Sequence, residues 1–283
     1  MNEVLSKKEL TEALYLSCVE NYFLAWLGRY YDVKKLYGAS FVDIRQVFDD
    51  FSFGATYENY CAIPRMQDIA EENGIVRHEY IACEAAVAMQ IIKAQPPEAL
   101  CLARVNTNFF IGYKRASWRE DHYICIDGEL NWINQYPLSE GRFSHERFCE
   151  VYDGAVCIYR TADLQAVPPD KMSGEIAAQE FSDIRLPGRL GSIESAIGVL
   201  RVTRKRMARY YAENEKAASL LQSETSLLDE IYFMLRLKAI KEKQAEEKDK
   251  ALLRAKTMEA LQEPLQKVFE IEKQLAEVLK SGA

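Results

Sequence analysis

Apolar and polar positions follow three different rhythms along this chain. In residues 18–31, Val19, Tyr22, Phe23, Trp26, Leu27 and Tyr30 recur at helical spacing, which predicts an amphipathic helix with a wide buried face. Ser6 and Glu9 form a capping box for an earlier turn. The break between the two decides whether Cys18 opens its helix or lies inside a continuous one. Residues 40–49 and 64–95 read as further helices, the second interrupted at Asn73-Gly74 and ended by Pro96-Pro97.

From Ala99 the rhythm changes to short strand-like runs: Leu100–Val105, Asn108–Tyr113, His122–Ile126, Leu130–Asn134 and Ala155–Tyr159. Asp127-Gly128 between two of these runs is a hairpin signal. Ser144–Val151 reads as a short helix. After a Pro- and Gly-bearing stretch, long helical patterns return at about 192–213, 216–243 and 247–281. Pro264 is expected to kink the last, and Lys241–Lys250 to form a charged hinge or hairpin tip. These elements predict an α+β protein: helices on a short antiparallel sheet in residues 1–162, a connector over 163–190, and an α-helical C-terminal subdomain over 191–283.

Composition adds little to this but excludes much. The chain has 283 residues, 48% hydrophobic and 28% charged, an ordinary globular balance. No apolar run approaches a membrane span, and the N-terminal stretch lacks a secretory-signal pattern, so a cytoplasmic protein is expected. The net charge of −7 is divided unevenly. Residues 1–200 hold 19 basic and 29 acidic side chains, the remainder 17 and 14. An acidic front half argues against nucleic acid as a partner. The seven cysteines are scattered and form no C-x-x-C or zinc spacing, so neither disulfides nor a metal centre is expected. Cys125 and Cys157 alternate with apolar residues as buried hydrophobes do.

Three histidines make the search for chemistry short. His122 opens a strand and Asn134 ends its hairpin partner, so both fall at the end of the hairpin away from the turn. An amide oxygen at 134 can orient one imidazole nitrogen there, leaving the other for a thiol. Asn131 and Asp127 are alternative orienting residues, Asp127 the least suited because it sits at the turn. Cys18, ahead of an amphipathic helix, suits a nucleophile: a helix N-terminus favours the thiolate, and its N–H groups can bind an oxyanion. Spacing alone leaves ordinary core roles open for all three residues. His145 and Cys149, at i and i+4, lack a second pair to complete a metal site, and His78 reads as structural.

These same residues carry a family resemblance. Ser17-Cys18-Val19-Glu20-Asn21, Leu24-Ala25-Trp26-Leu27 and Leu36-Tyr37-Gly38-Ala39-Ser40-Phe41 resemble the start of the butirosin biosynthesis protein H family. Arg104–Tyr113 followed by His122-Tyr123-Ile124-Cys125-Ile126-Asp127-Gly128 resembles that family's polar-aromatic strand and its histidine-led strand, a layout shared with papain-like peptidases that process bacteriocin leaders. The resemblance covers roughly residues 10–160. It implies a papain-like fold and acyl or aminoacyl transfer from the phosphopantetheine thioester of a carrier protein, through a cysteine, to an amine, as in secondary-metabolite (nonribosomal peptide-type) biosynthesis. Cys18 would be the nucleophile, His122 the general base and then acid, and Asn134 the orienter, with no bound cofactor.

Ser17 stands where the family often has histidine, Asn134 where aspartate is common, and no glutamine precedes Cys18 as in the leader peptidases. The last departure weighs against proteolysis. Arg201, Arg204, Lys205, Arg206 and Arg209 form a basic cluster on one expected helix, either a solvated face or a dock for an acidic carrier protein. Phe109, Phe110, Tyr113, Trp118, Tyr123 and Trp132 could line an acyl pocket or fill a core. A cysteine peptidase or amidase on the same fold, and a catalytically silent protein whose helical tail mediates assembly or homodimerisation, are the competing expectations.

Overall fold

The computed structural model describes residues 5–12, 14–30, 32–38, 41–55, 74–106, 122–135, 137–161 and 181–281. In chain order these form α1 (Lys7–Glu12), α2 (Cys18–Leu27), α3 (Lys34–Tyr37), α4 (Ile44–Ser52), β1 (Ile75–Ile81), α5 (Ala85–Lys93), β2 (Leu100–Val105) and β3 (His122–Ile126). There follow β4 (Asn131–Gln135), β5 (Leu138–Arg142), α6 (His145–Val151), β6 (Tyr152–Thr161), a 3₁₀ turn at Phe181–Asp183, α7 (Leu190–Tyr210), α8 (Glu215–Gln244) and α9 (Glu247–Lys280). The protein is α+β, with one open antiparallel sheet in the order β1-β6-β2-β3-β4-β5.

The contacts divide the chain into two compact units. One is built from residues 1–33 and 67–168, the other from 34–66 and 169–283. This differs from the expected division: the expected connector 163–190 is divided between the units at 168/169, and residues 34–66 group with the helical unit, not with the sheet. The reason is local. The ring of Tyr210 on α7 lies so close to Gly38, after α3, that a β-carbon there would meet it at 2.8 Å, and Ser52 at the end of α4 donates to the Arg185 carbonyl.

In the sheet unit the two faces have separate cores. Cys101, Ala103, Val105, Ile124, Ile126, Trp132, Val156 and Ile158 point to one face and pack with Ala88 and Ile92 of α5 and Phe148 of α6. The alternate residues face α2: Phe23 lies 4.9 Å from the Tyr159 ring, and the Trp26 indole donates to the Glu98 carbonyl at 2.8 Å. Cys125 and Cys157 are buried as expected, and burial pushes the Cys157 thiol above its ordinary value. The next-strand spacing is tight: a β-carbon on Gly141 would meet the Trp132 ring at 2.8 Å, so only glycine lets that indole lie across β5.

Two strands depart from the expectations. Ile75–Ile81, read as part of a helix, is the edge strand β1; only Ile75 is buried, so it has no two-residue alternation to announce it. Leu138–Arg142 adds β5 at the other edge with a mostly polar sequence, paired to β4 through Asn134 opposite Ser139. The expected strand at 108–113 lies outside the described residues. In the helical unit the three long helices fall within three residues of their expected bounds, and Ala245–Glu246 forms the tip between α8 and α9. Pro264 is accommodated within an uninterrupted α9.

Candidate active site

The break before Cys18 is real. Leu14–Ser17 are non-helical, Ser17 is the N-cap of α2 in an extended conformation, and Cys18 is the first helical residue. The Ser17 hydroxyl accepts from the Glu20 N–H at 3.2 Å, and the Glu20 carboxylate accepts from the Leu16 N–H at 2.6 Å. This is a displaced capping box, with the return bond landing one residue early. It holds the thiol of Cys18, half-buried, in the positive field of the helix N-terminus.

α2 is tied to the sheet at this same end. The Tyr22 hydroxyl accepts from the Gln135 N–H at 3.0 Å and donates to the Ile133 carbonyl at 3.4 Å. Asn21 donates through Nδ2 to the Gln135 side chain. Burial first, and the neighbouring Cys18 second, push the Tyr22 phenol well above its ordinary value, so the hydroxyl stays protonated at any physiological pH. Asn21 is almost wholly buried and its Oδ1 has no hydrogen-bond partner among the described residues. Sequence reasoning missed Asn21, Tyr22 and Gln135 as positioning groups; the signal was an asparagine within the helix's apolar face.

His122 and Asn134 meet. The imidazole Nε2 lies 2.6 Å from Asn134 Oδ1, and Asn134 Nδ2 donates to the Pro137 carbonyl at 2.8 Å. The second bond fixes the first: a carbonyl only accepts, so the amide nitrogen must face Pro137 and the amide oxygen His122. An amide oxygen in turn only accepts, so Nε2 carries the proton and Nδ1 is the basic nitrogen. Continuing the Cys125–Ile133 and Ile126–Trp132 pairing sets Asn134 opposite Ile124, and His122 one diagonal step further. Asn134 is fully buried and His122 half-buried, which keeps the amide rigid and the ring reachable.

By alternation His122 and Asn134 belong to the sheet face lined by Ile124 and Trp132, whereas α2 packs on the opposite face. Cys18 and His122 therefore share an end of the sheet, where β3 begins and β4 finishes, and not a face. Of the alternative orienting residues, Asn131 and Asp127 bond to each other at the turn, at the far end of the hairpin from His122.

The other candidates separate from this site. Burial pushes the Cys101 thiol up to about 12, a state in which it is no nucleophile. His78 is exposed on β1. His145 and Cys149 are exposed on α6, and no group of His, Cys, Asp or Glu among the described residues is arranged to hold a metal ion. His145 instead lines an open cleft of about 640 Å³ with Met89, Lys93, Leu130, Arg142 and Phe143, at the turn end of the hairpin. Phe109, Phe110, Tyr113 and Trp118 lie outside the described residues, and Trp132 is buried against Phe143.

The basic cluster needs correction as a surface. Arg204 and Arg206 are buried, Arg201 and Lys205 both pair with Asp229, and only Arg209 is exposed. Arg204 sits between Glu224 at 3.1 Å and Glu272 at 2.6 Å, over the Phe41 ring. It is a core residue of the helical unit. No helix among the described residues is long and apolar enough to cross a membrane. Comparison with protein-family models, with curated proteins and with solved structures finds no match to this chain.

Proposed function

We propose that this protein is a papain-like cysteine acyltransferase, working through Cys18, His122 and Asn134. The observation that carries the reading is the His122–Asn134 hydrogen bond with its orientation fixed by Pro137, at the sheet end where Cys18 opens α2. The geometry supports thiol-based acyl transfer; the resemblance to the butirosin biosynthesis protein H family supports a carrier-bound phosphopantetheine thioester as donor and an amine as acceptor, in nonribosomal peptide-type biosynthesis in the cytoplasm.

In this reading the first turn of α2 favours the Cys18 thiolate. Its proton passes to His122 Nδ1 around the sheet end that the two share, not across a common face, and the thiolate attacks the thioester carbonyl. The tetrahedral oxyanion is met by N–H groups of the first turn of α2. Its collapse expels the pantetheine sulfur, which leaves with the proton held on Nδ1, and Cys18 carries the acyl group as a thioester. The acceptor amine then attacks the same carbonyl, giving a proton to Nδ1. Collapse releases the amide and restores the cysteine. Asn134 holds the ring against rotation throughout and accepts from the imidazolium when it forms.

The test is intact-mass measurement after incubation with an acyl-pantetheine thioester, in a Cys149→Ser background because that thiol is exposed. An acyl adduct is expected on the wild-type Cys18 and none on Cys18→Ala. An adduct that survives Cys18→Ala overturns the assignment. Peptide cleavage that needs Cys18 but no thioester moves the same site to a peptidase or amidase.

A further inference from the structure

The two edges of the sheet are not equally closed. β5 is short and mostly polar, and its Glu140 is paired with Lys7 of α1 at 3.1 Å. β1 runs for seven residues and pairs on one side with β6; among the described residues no strand takes its other side. Each residue from Val76 to Glu79 is exposed, and Ile81 is 70% exposed. Left-handed residues turn the chain at both ends of the strand, Gly74 at φ +94° and Ala82 at φ +57°. A free edge of this length offers its outward N–H and carbonyl groups to another strand.

The sequence of the edge, Ile75-Val76-Arg77-His78-Glu79-Tyr80-Ile81, selects that strand. A two-fold axis between two antiparallel edges stands perpendicular to the sheet and passes through a position that faces itself. With His78 at the axis, Arg77 faces Glu79 of the other copy, Val76 faces Tyr80, and Ile75 faces Ile81. Opposite charges, an aromatic beside a β-branched residue, and two aliphatics are each favourable cross-strand pairs. Moving the axis to Arg77 or to Glu79 sets like charges against each other, and moving it further leaves most of the strand unpaired. Within one copy Arg77 donates to Glu79 at 3.2 Å, and the two side chains remain 33% and 35% exposed. Across the axis the two arginines and two glutamates alternate in sign around one face.

We propose that this chain forms a two-fold homodimer in which the β1 edges pair antiparallel about His78, joining two six-stranded sheets into one. The outward backbone groups of β1 bond their counterparts, and Ile81 packs beside Ile75 of the other copy. The exposed charges fix the register more than they hold the pair. Both edges are the same strand, so the assembly closes at two. It is independent of the chemistry proposed for Cys18.

Sedimentation equilibrium of the full chain between about 1 and 100 µM tests association, and the mass is expected to rise toward twice 32.5 kDa. A 32.5 kDa species at every concentration overturns the dimer. Ile81→Asp is expected to weaken association roughly 10-fold or more, its exposed position leaving the circular dichroism signal unchanged. A dimer unaffected by Ile81→Asp overturns this edge as the interface. Arg77→Glu and Glu79→Lys should each associate less tightly than the wild type, and an equimolar mixture of the two should regain the loss, because opposite charges then face across the axis. A mixture no tighter than either variant overturns the pairing. Copper(II)-catalysed air oxidation in a Cys149→Ser background reads the register. His78→Cys sets two α-carbons about 4.5–5.5 Å apart, within disulfide reach, and a covalent dimer is expected. Val76→Cys sets them roughly 14 Å apart, and none is expected. Failure at His78→Cys, or a crosslink at Val76→Cys, overturns the register.

Discussion

Two polar clusters lie inside this protein, one in each unit, and they differ in a way that separates chemistry from architecture. In the sheet unit, the His122–Asn134 pair joins an imidazole to an amide, the ring half-open and the amide fully buried. In the helical unit, Arg204, Glu224 and Glu272 bring ionisable groups together with side-chain exposures of 0%, 0% and 3%. A rigid acceptor behind a reachable ring is what an orienting pair needs. A cluster that no solvent or ligand can touch acts only on the stability and geometry of the helices around it. Arg204, expected from the sequence to lie on a solvated face or a carrier-protein dock, belongs to the second kind.

The sharpest break of this comparison is at Arg204. Arg204→Met leaves Glu272 and Glu224 buried without their cation and strips the Val42 carbonyl of its donor at 3.0 Å. Removing one partner of a buried pair costs about 3–5 kcal/mol, and denaturant unfolding of the helical unit should register that loss. The proposed acyl-adduct formation at Cys18 should survive under conditions where the sheet unit remains folded.

At the other cluster, Asn134→Ala removes the acceptor that sets the His122 tautomer. The rate of acyl-adduct formation is expected to fall about 10²- to 10⁴-fold in single-turnover measurements, by analogy with loss of the orienting group in hydrolase triads. Asn134→Asp keeps an acceptor for Nε2–H and should recover most of the rate. A merely structural asparagine would not distinguish the two replacements in rate while leaving folding alike.

pH separates the clusters further. Burial, and then the charge of Glu272, hold the Glu224 carboxyl well above its ordinary value against the opposing pull of Arg204. A carboxyl whose folded pKa is raised favours the folded state most strongly below its unfolded value, and that contribution is lost as pH rises through the folded value. Stability of the helical unit should therefore decline as pH rises above the ordinary carboxyl value of 4.5, and Glu224→Gln should flatten the decline. Glu9 in the sheet unit runs the opposite way. Burial works to raise it, but hydrogen bonds from Arg29 and Ser6 outweigh burial and hold it at about 2. Its contribution is present above the ordinary value of 4.5 and is lost as pH falls from there toward 2. Thermal unfolding across pH, with and without Glu9→Gln, reads this difference.

The smallest effect is expected at the N-cap. Ser17→Ala removes one hydrogen bond to the first turn of α2 and should cost about 1 kcal/mol of stability, measured by denaturant unfolding. The α2 fold should persist, because Tyr22, Phe23 and Trp26 remain buried against the sheet.

What could be read ahead of the structure follows from periodicity and local chemistry. The apolar face of α2, the hairpin signalled by Asp127-Gly128, and the three long helices each announce themselves within a few neighbouring residues. His122 and Asn134 were legible as a pair because hairpin register is counted from its turn, a local quantity. β1 and β5 were not legible: β1 buries only Ile75, and the alternation of β5 turns inward Ser139 and Gly141, which carry no apolar signal.

The remainder is decided only when distant segments meet. Glu224 and Glu272 lie 20 and 68 residues from Arg204, and no local pattern marks an arginine whose counter-charges stand on two other helices. The grouping of residues 34–66 with the helical unit, and the anchoring of α2 by Gln135, more than 110 residues away, are of the same kind. Helix and hairpin formation are short-range events written in neighbouring side chains. Burial of a charge, and the closeness of a sulfur to a sheet end, are properties of packing, and packing exists only in the folded chain.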